Sequence, residues 1–287
     1  MKDIDQLIES KIAELFGRKA KLIRKHVSPA VGIKIVDDPS EDYSIDTDNG
    51  IISKLGGSPD VTDGFIWPQY DQAPLTFLCQ INLKHLTTYQ SILPQSGVLL
   101  FFVANDDINS GAELQAAVKV IYLPEEGLST KSQNKEAAVH DGLAMTFYPH
   151  YTLPSYQEQA VAQLVEDFDL GDDLGELEAY ISELTYGSDD FTKDHLLGDP
   201  NAIQGAVRIY WAAQHRYPED RYYEGMLDYL DEASAIGNDF ILLLQIDLST
   251  ADVSLPGYGD SCLYFGIHKD DLARQNFDNV KLVFQNT

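Results

Sequence analysis

The chain has 287 residues, 44% of them apolar, with 46 acidic against 20 basic side chains, for a net charge of −26. That field repels phosphate backbones and anionic lipid, so nucleic acid and membrane surfaces are poor partners, and no apolar run approaches the roughly 20 residues of a membrane span. Sixteen Tyr and twelve Phe supply ample material for a core. In chain order, residues 3–25 predict an amphipathic helix, with Ile4, Leu7, Ile8, Ile12, Leu15 and Phe16 on one stripe. Acids occupy the positions where a secretory signal needs apolar residues, so the expected location is cytoplasmic. Residues 1–34 hold eight bases and four acids, +4, so the rest of the chain carries −30. The helix is expected to pack on its own acidic body.

A variable stretch over 36–52 precedes turns at Gly56-Gly57-Ser58-Pro59 and Trp67-Pro68. Strands are expected near 75–82, 97–104, 115–123 and 143–151, with a polar loop at 131–141. Helices are expected at 155–168, 174–186 and within 206–236, and further strands near 240–247, 261–267 and 279–285. Glu166–Glu178 is the densest acidic stretch and reads as a solvated face.

Several of these segments occur twice. Residues 77–83, FLCQINL, return as 242–248, LLLQIDL, and Leu93-Pro94-Gln95-Ser96-Gly97 returns as Leu255-Pro256-Gly257-Tyr258-Gly259. The offset is 165 at Gln80 and Gln245, 162 at Gly97 and Gly259, 163 at Phe102 and Phe265, and 162 again at the two Val-Lys pairs. Gly57-Ser58-Pro59 matches Gly198-Asp199-Pro200 at offset 141. Ordered matches at this period indicate a tandem duplication. The 162-to-163 slip predicts a β-bulge in the second copy, after the Gly. The fold class expected is α+β, with duplicated halves each carrying a short antiparallel sheet, packed as one unit. The boundaries are 1–35 for the N-terminal helix, 36–150 for the first half, 151–193 for a helical connector and 194–287 for the second half. The second half has an insertion, since Gly198 to Gln245 spans 47 residues where Gly57 to Gln80 spans 23.

Candidate chemistry is sparse. Gln80 and Gln245 sit in apolar strands at equivalent positions, and an amide there must find partners. Tying down a neighbouring loop is the commoner use of such a group. Asn82 and Asp247, two residues on, share the same strand face, so the Gln-x-Asx pairs are candidates to line a cleft between the halves. Trp67, His195 and Asp260 complete the set of ligand candidates. His195 is expected to brace the Leu-Leu-Gly-Asp-Pro turn, and Asp260 to bond nearby backbone. The glycines lack the spacing of a P-loop or dinucleotide fingerprint, and no zinc or EF-hand spacing occurs. No metal and no cofactor is therefore expected. Cys79 and Cys262 lie in apolar strands and read as small hydrophobes.

Ser53-Lys54-Leu55-Gly56-Gly57-x-Pro59, Trp67-Pro68 and Pro74-Leu75-x-Phe77-Leu78-x-Gln80-Ile81-Asn82-Leu83 resemble the first half of the YwqG-like family. His195-Leu196-Leu197-Gly198-x-Pro200-x-x-Ile203-Gln204, Leu242-Leu243-Leu244-Gln245-Ile246-Asp247, Gly259-Asp260-x-x-Leu263-Tyr264-Phe265-x-Ile267 and Asp271-Leu272 resemble its second half. Tyr258 and Leu248 depart from its pattern. The resemblance implies an intracellular folded protein of a bacterial group of unknown function, and it carries no catalytic residue with it. The expected role is a non-enzymatic binding or interaction protein with an acidic surface, and a basic protein is the partner that charge favours. The alternative is an enzyme or small-ligand binder using a cleft between the halves.

Overall fold

A computed structural model of the chain describes residues 2–36, 50–104, 117–129, 142–155, 158, 170–186, 194–216, 235–249 and 258–286. Most of the expected helix at 155–168, the loop at 131–141 and the second Leu-Pro-x-x-Gly turn lie outside those residues. The N-terminal helical stretch is two helices, α1 (Lys2–Phe16) and α2 (Ala20–Arg24), separated by a 3-10 turn. Gly17 causes the break. It adopts φ 49, a left-handed conformation that needs no Cβ. Ile8, Ile12 and Phe16 are buried, whereas Leu7 is 43% exposed and faces away from the packed stripe.

The strands that follow are β1 (Ser28–Val36), β2 (Lys54–Leu55), β3 (Val61–Thr62), β4 (Gln69–Tyr70), β5 (Ala73–Pro74), β6 (Thr76–Asn82), β7 (Val98–Val103), β8 (Val118–Leu123), β9 (Leu128–Ser129) and β10 (Leu143–Thr152). Helix α3 (Gly171–Tyr186) leads to β11 (His195–Leu197), α4 (Val207–Arg216), β12 (Phe240–Asp247), β13 (Ser261–His268), α5 (Lys269–Ala273) and β14 (Lys281–Asn286). The fold is mixed α+β.

Among the described residues, ten strands form one antiparallel sheet in the order β14-β13-β12-β11-β1-β10-β2-β6-β7-β8. This corrects the expectation of two short sheets. The missing link was β1, whose Pro29 and Gly32 are poor strand formers, so SPAVGIKIV blended into the helical N-terminus. It pairs with β10 over nine residues and with β11 on its other side. The expected bulge is also corrected. Both flanks carry one, between Phe77 and Cys79 on β6 and between Leu242 and Leu244 on β12, ahead of the turn and not after it.

Residues opposite one another in an antiparallel pair share a face. Gln80 lies opposite Leu100 and Gln245 opposite Tyr264, so Phe101 and Phe265 project from the other face. Their rings meet edge to face at 5.1 Å, because the long sheet curls until its two flanks touch over the main core. On the outer face, Trp211 of α4 packs against Phe240, Leu242, Cys262 and Tyr264. A third cluster joins Ile8, Ile12 and Phe16 to Leu177 and Ile181 of α3 and to Tyr151. Around its rim, Lys11 reaches Glu176 at 2.6 Å, Arg24 pairs with Glu9, and the Tyr151 hydroxyl donates to Asp5.

Two glycines admit aromatic rings onto the outer face. A Cβ at Gly266 would lie 2.3 Å from the fully buried Trp211 indole, and one at Gly32 would lie 2.1 Å from the half-buried Tyr148 ring. Trp211 is enclosed and cannot yield, whereas Tyr148 can swing toward solvent. Gly266→Ala is therefore expected to cost about 1–3 kcal/mol by overpacking, and Gly32→Ala distinctly less. Equilibrium urea unfolding of the two variants measures the contrast.

Candidate functional site

The residues nominated from sequence fall in several places. Gln80 is fully buried, and its Oε1 accepts the Asp60 amide at 2.7 Å. Its Nε2 donates to the Ile52 carbonyl at 2.8 Å and to Asp60 Oδ2 at 2.6 Å, while Lys54 Nζ lies 3.0 Å from the same carboxylate. Gln245 does the corresponding work in the other flank, accepting the Asn201 amide at 2.9 Å. Asn82 donates to the Ile51 carbonyl and accepts from the Lys84 amide. Asp247 accepts from the Ser249 amide and hydroxyl. Four strands separate β6 from β12, about 24 Å along the sheet, so the two Gln-x-Asx pairs do not adjoin.

Trp67 donates its indole N–H to the Leu75 carbonyl at 2.7 Å and packs on Phe102. Asp260 sits in the exposed turn before β13. Gln80→Leu strips three bonds from buried groups and is expected to cost about 3 kcal/mol or more. Asp260→Asn, at the surface, should stay within about 0.5 kcal/mol. Thermal melts of the pair check both values.

His195 leads to the more promising ground. Its Nε2 meets the Asp199 carbonyl at 3.1 Å, and its ring lies 6.0 Å from that of His150. Both histidines border a narrow pocket of about 30 Å³, room for a water or two, together with Thr152, Glu178 and Ser182. Burial pulls His150 down to about 3 and pushes Glu178 up. His150 is thus neutral across the physiological range and cannot act as a proton donor there.

The turn after β11 forms the wall between this pocket and a larger cleft. Leu197 is held at φ 62 and Gly198 at φ 71, as Gly56 and Gly57 are at φ 67 and 68 in the first flank. A leucine in that region is strained. The turn delivers Asp199, which borders both cavities. Its amide donates to Thr152 Oγ1 at 2.8 Å, and its Oδ1 accepts from Arg208 Nη2 at 2.8 Å. Arg208 is held a second time by the Phe240 carbonyl at 2.6 Å.

The cleft itself encloses about 470 Å³ between the end of α2, the turn after β11 and the start of α4. Glu158 sits at the N-terminus of α4, where its Oε1 accepts the Arg208 amide at 3.3 Å. The dipole and free N–H groups of a helix start favour a carboxylate there. Burial outweighs those contacts and lifts Glu158 to about 6, and Asp199 pushes in the same direction. Burial lowers His26, which also borders the cleft, against an upward pull from Asp199.

Sequence reasoning missed this cleft, although its signal was present. Asp199 stands where the similar turn Gly57-Ser58-Pro59 has Ser58, and Arg208 lies in the stretch by which Gly198 to Gln245 is longer than Gly57 to Gln80. Positions where these two similar stretches differ, more than the residues they share, mark the site. Among the described residues no cluster of His, Cys, Asp and Glu could hold a metal ion, and no helix is long and apolar enough to cross a membrane. Cys79 and Cys262 are buried and form no disulfide.

The chain is thus a mixed α+β protein with one long antiparallel sheet and a charged cleft on its outer face. It belongs to the family described as Domain of unknown function (DUF1963), which matches residues 53–285. The match takes in β2 to β14 and leaves out α1, α2 and the central strand β1. No curated protein matches the chain.

Glu158 gives a pH test. A folded pKa raised above the ordinary carboxylate value means that the folded state holds the proton more tightly. Stability from this group is full below about 4.5 and is lost as pH rises through about 6. Glu158→Gln keeps an acceptor at the helix start without the buried charge. It is expected to stabilise the protein by about 2 kcal/mol at pH 7.5, with the gain vanishing near pH 4.5. Chemical denaturation at the two pH values measures it.

Proposed function

We propose that the protein is a non-enzymatic binding protein that meets a basic protein through its acidic surface, inside the bacterial cytoplasm, as a member of the YwqG-like group. The observation that carries this reading is the charge, −26 on 287 residues. A field of that size speeds encounter with cationic partners and disfavours anionic ones. The sequence candidates support it indirectly, since the buried amides Gln80 and Gln245 spend their bonds holding loops. A small-ligand role is the second reading, favoured by the cleft of about 470 Å³, which falls in the range of small-molecule sites.

A tandem duplication underlies both readings. The sheet order reads the same from either end, with β1 and β10 in the middle. Ser53 Oγ accepts the Asn82 amide as Asp194 Oδ1 accepts the Asp247 amide. The carbonyls of the same two residues accept from Met145 and Ile33. In this scheme the leading strand of each half pairs with the first strand of the other.

Affinity capture from a bacterial lysate at low and high salt tests the binding role. Basic proteins should dominate the low-salt eluate and be lost at high salt, because screening removes the long-range attraction. Capture of no basic protein, or binding indifferent to salt, would overturn the reading.

A further inference from the structure

We propose that the cleft between His26, Glu158, Asp199 and Arg208 is a binding site for a primary ammonium group on an alkyl chain. This deepens the reading above and rests on it, because it names the chemical group that the acidic protein takes from a cationic partner.

The central observation is Asp199. It is only 8% exposed, and one carboxylate oxygen is taken by Arg208, yet Oδ2 is buried with no hydrogen-bond partner among the described residues. A buried carboxylate oxygen normally finds a donor. Arg208, which holds Oδ1 at 2.8 Å, lines the cleft and not the smaller pocket, so the carboxylate meets its partner on the cleft side. Glu158 is a second carboxylate on the same cleft, also buried, with its Oε1 on the Arg208 amide.

Arg208 does not answer the demand. Its guanidinium is fixed between Asp199 Oδ1 and the Phe240 carbonyl, in a position that leaves Oδ2 without a donor. His26 is held toward its neutral form by burial, and Lys25 stands exposed at the rim. The missing partner is therefore a donor of positive charge that enters from solvent. An ammonium group offers three N–H donors and no acceptor, which suits two carboxylates bordering one cleft. Ile209 and Pro154 supply apolar surface for an alkyl stem. Lys25 at the mouth disfavours a ligand with a second cation close to the first. A lysine side chain of a protein and a free monoamine both fit, and they share the same head group.

The probe is Nα-acetyl-lysine N-methylamide, titrated into the full-length protein by isothermal calorimetry at low salt. Its neutral isostere Nα-acetyl-norleucine N-methylamide serves as control. Saturable binding of the lysine probe alone is expected, weakened at least tenfold by Asp199→Asn. Because that variant also alters the Arg208 contact, Ala235→Phe provides a second readout. Ala235 is exposed on the cleft, so the change fills the space without touching the core. It should abolish binding while leaving the melting temperature unchanged. No saturable heat with the lysine probe, equal binding of the norleucine control, or undiminished binding in Ala235→Phe would each overturn the proposal.

Capture experiments separate this from the wider reading. Loss of a captured basic protein in Ala235→Phe supports a protein lysine as occupant. Binding of the probe with no basic protein captured supports a free amine and overturns the protein-partner reading alone. Capture that Ala235→Phe leaves intact overturns the site as the contact and keeps the partner.

Discussion

The structure depends on the ladder between β1 and β10. Nine residues of each strand pair in register, from Ser28 opposite Thr152 to Val36 opposite Ala144. Without that ladder β11 and β2 would each present an open edge, and unpaired N–H and C=O groups at a buried edge are costly. With it, the backbone hydrogen bonding is continuous from β14 to β8. The curl that brings Phe101 onto Phe265 is then available, since a twisted sheet of ten strands bends back on itself more readily than it stays flat.

A repeated device holds loops to this sheet. Each flank buries one glutamine amide in an apolar strand, and each uses it to take a backbone N–H from the turn that follows two left-handed residues. Removing such an amide from water is unfavourable unless its bonds are remade, and here they are remade on groups that would otherwise be orphaned themselves. The same economy extends to Ser53 and Asp194, whose side chains and carbonyls both serve neighbouring strands.

Much of the fold was legible in the sequence. The strands β6, β7, β12 and β13 announce themselves as runs of Leu, Ile and Phe, and the helical stripe of α1 announces itself by spacing. Strand β1 did not, because Pro29 and Gly32 mask its propensity and its position is set by partners far along the chain. Strand β11 is three residues long and read as part of a turn. The equivalence of Gln80 and Gln245 was visible, and so was the loop-bracing use of the amide. Their direction was not, because the sequence cannot say on which face the flanks will meet. The cleft was hidden for a related reason. It joins the end of α2, the turn after β11 and the start of α4, segments with no shared periodicity, and its residues stand out only where the turn after β11 departs from the similar turn at Gly56-Gly57.

Those departures carry an energetic argument. A chain selected for stability alone would have little reason to keep Glu158 at a site where burial raises its pKa to about 6, because a neutral acceptor would cap α4 with no charge to desolvate. Nor would it set Asp199 so that Arg208 satisfies one oxygen and leaves the other buried and bare. It would also have little reason to hold Leu197 in a left-handed conformation that the similar turn near β2 gives to Gly56. Three unfavourable choices within one turn and its neighbours, on a scaffold whose other buried polar groups are largely well paired, mark a place where local rules are broken for a reason outside the fold. The common factor is negative charge brought to the wall of an open cleft. A positively charged group arriving there would lower Glu158 toward the ordinary carboxylate range and give Asp199 its missing donor, so that ligand binding would remove strain that folding alone leaves in place.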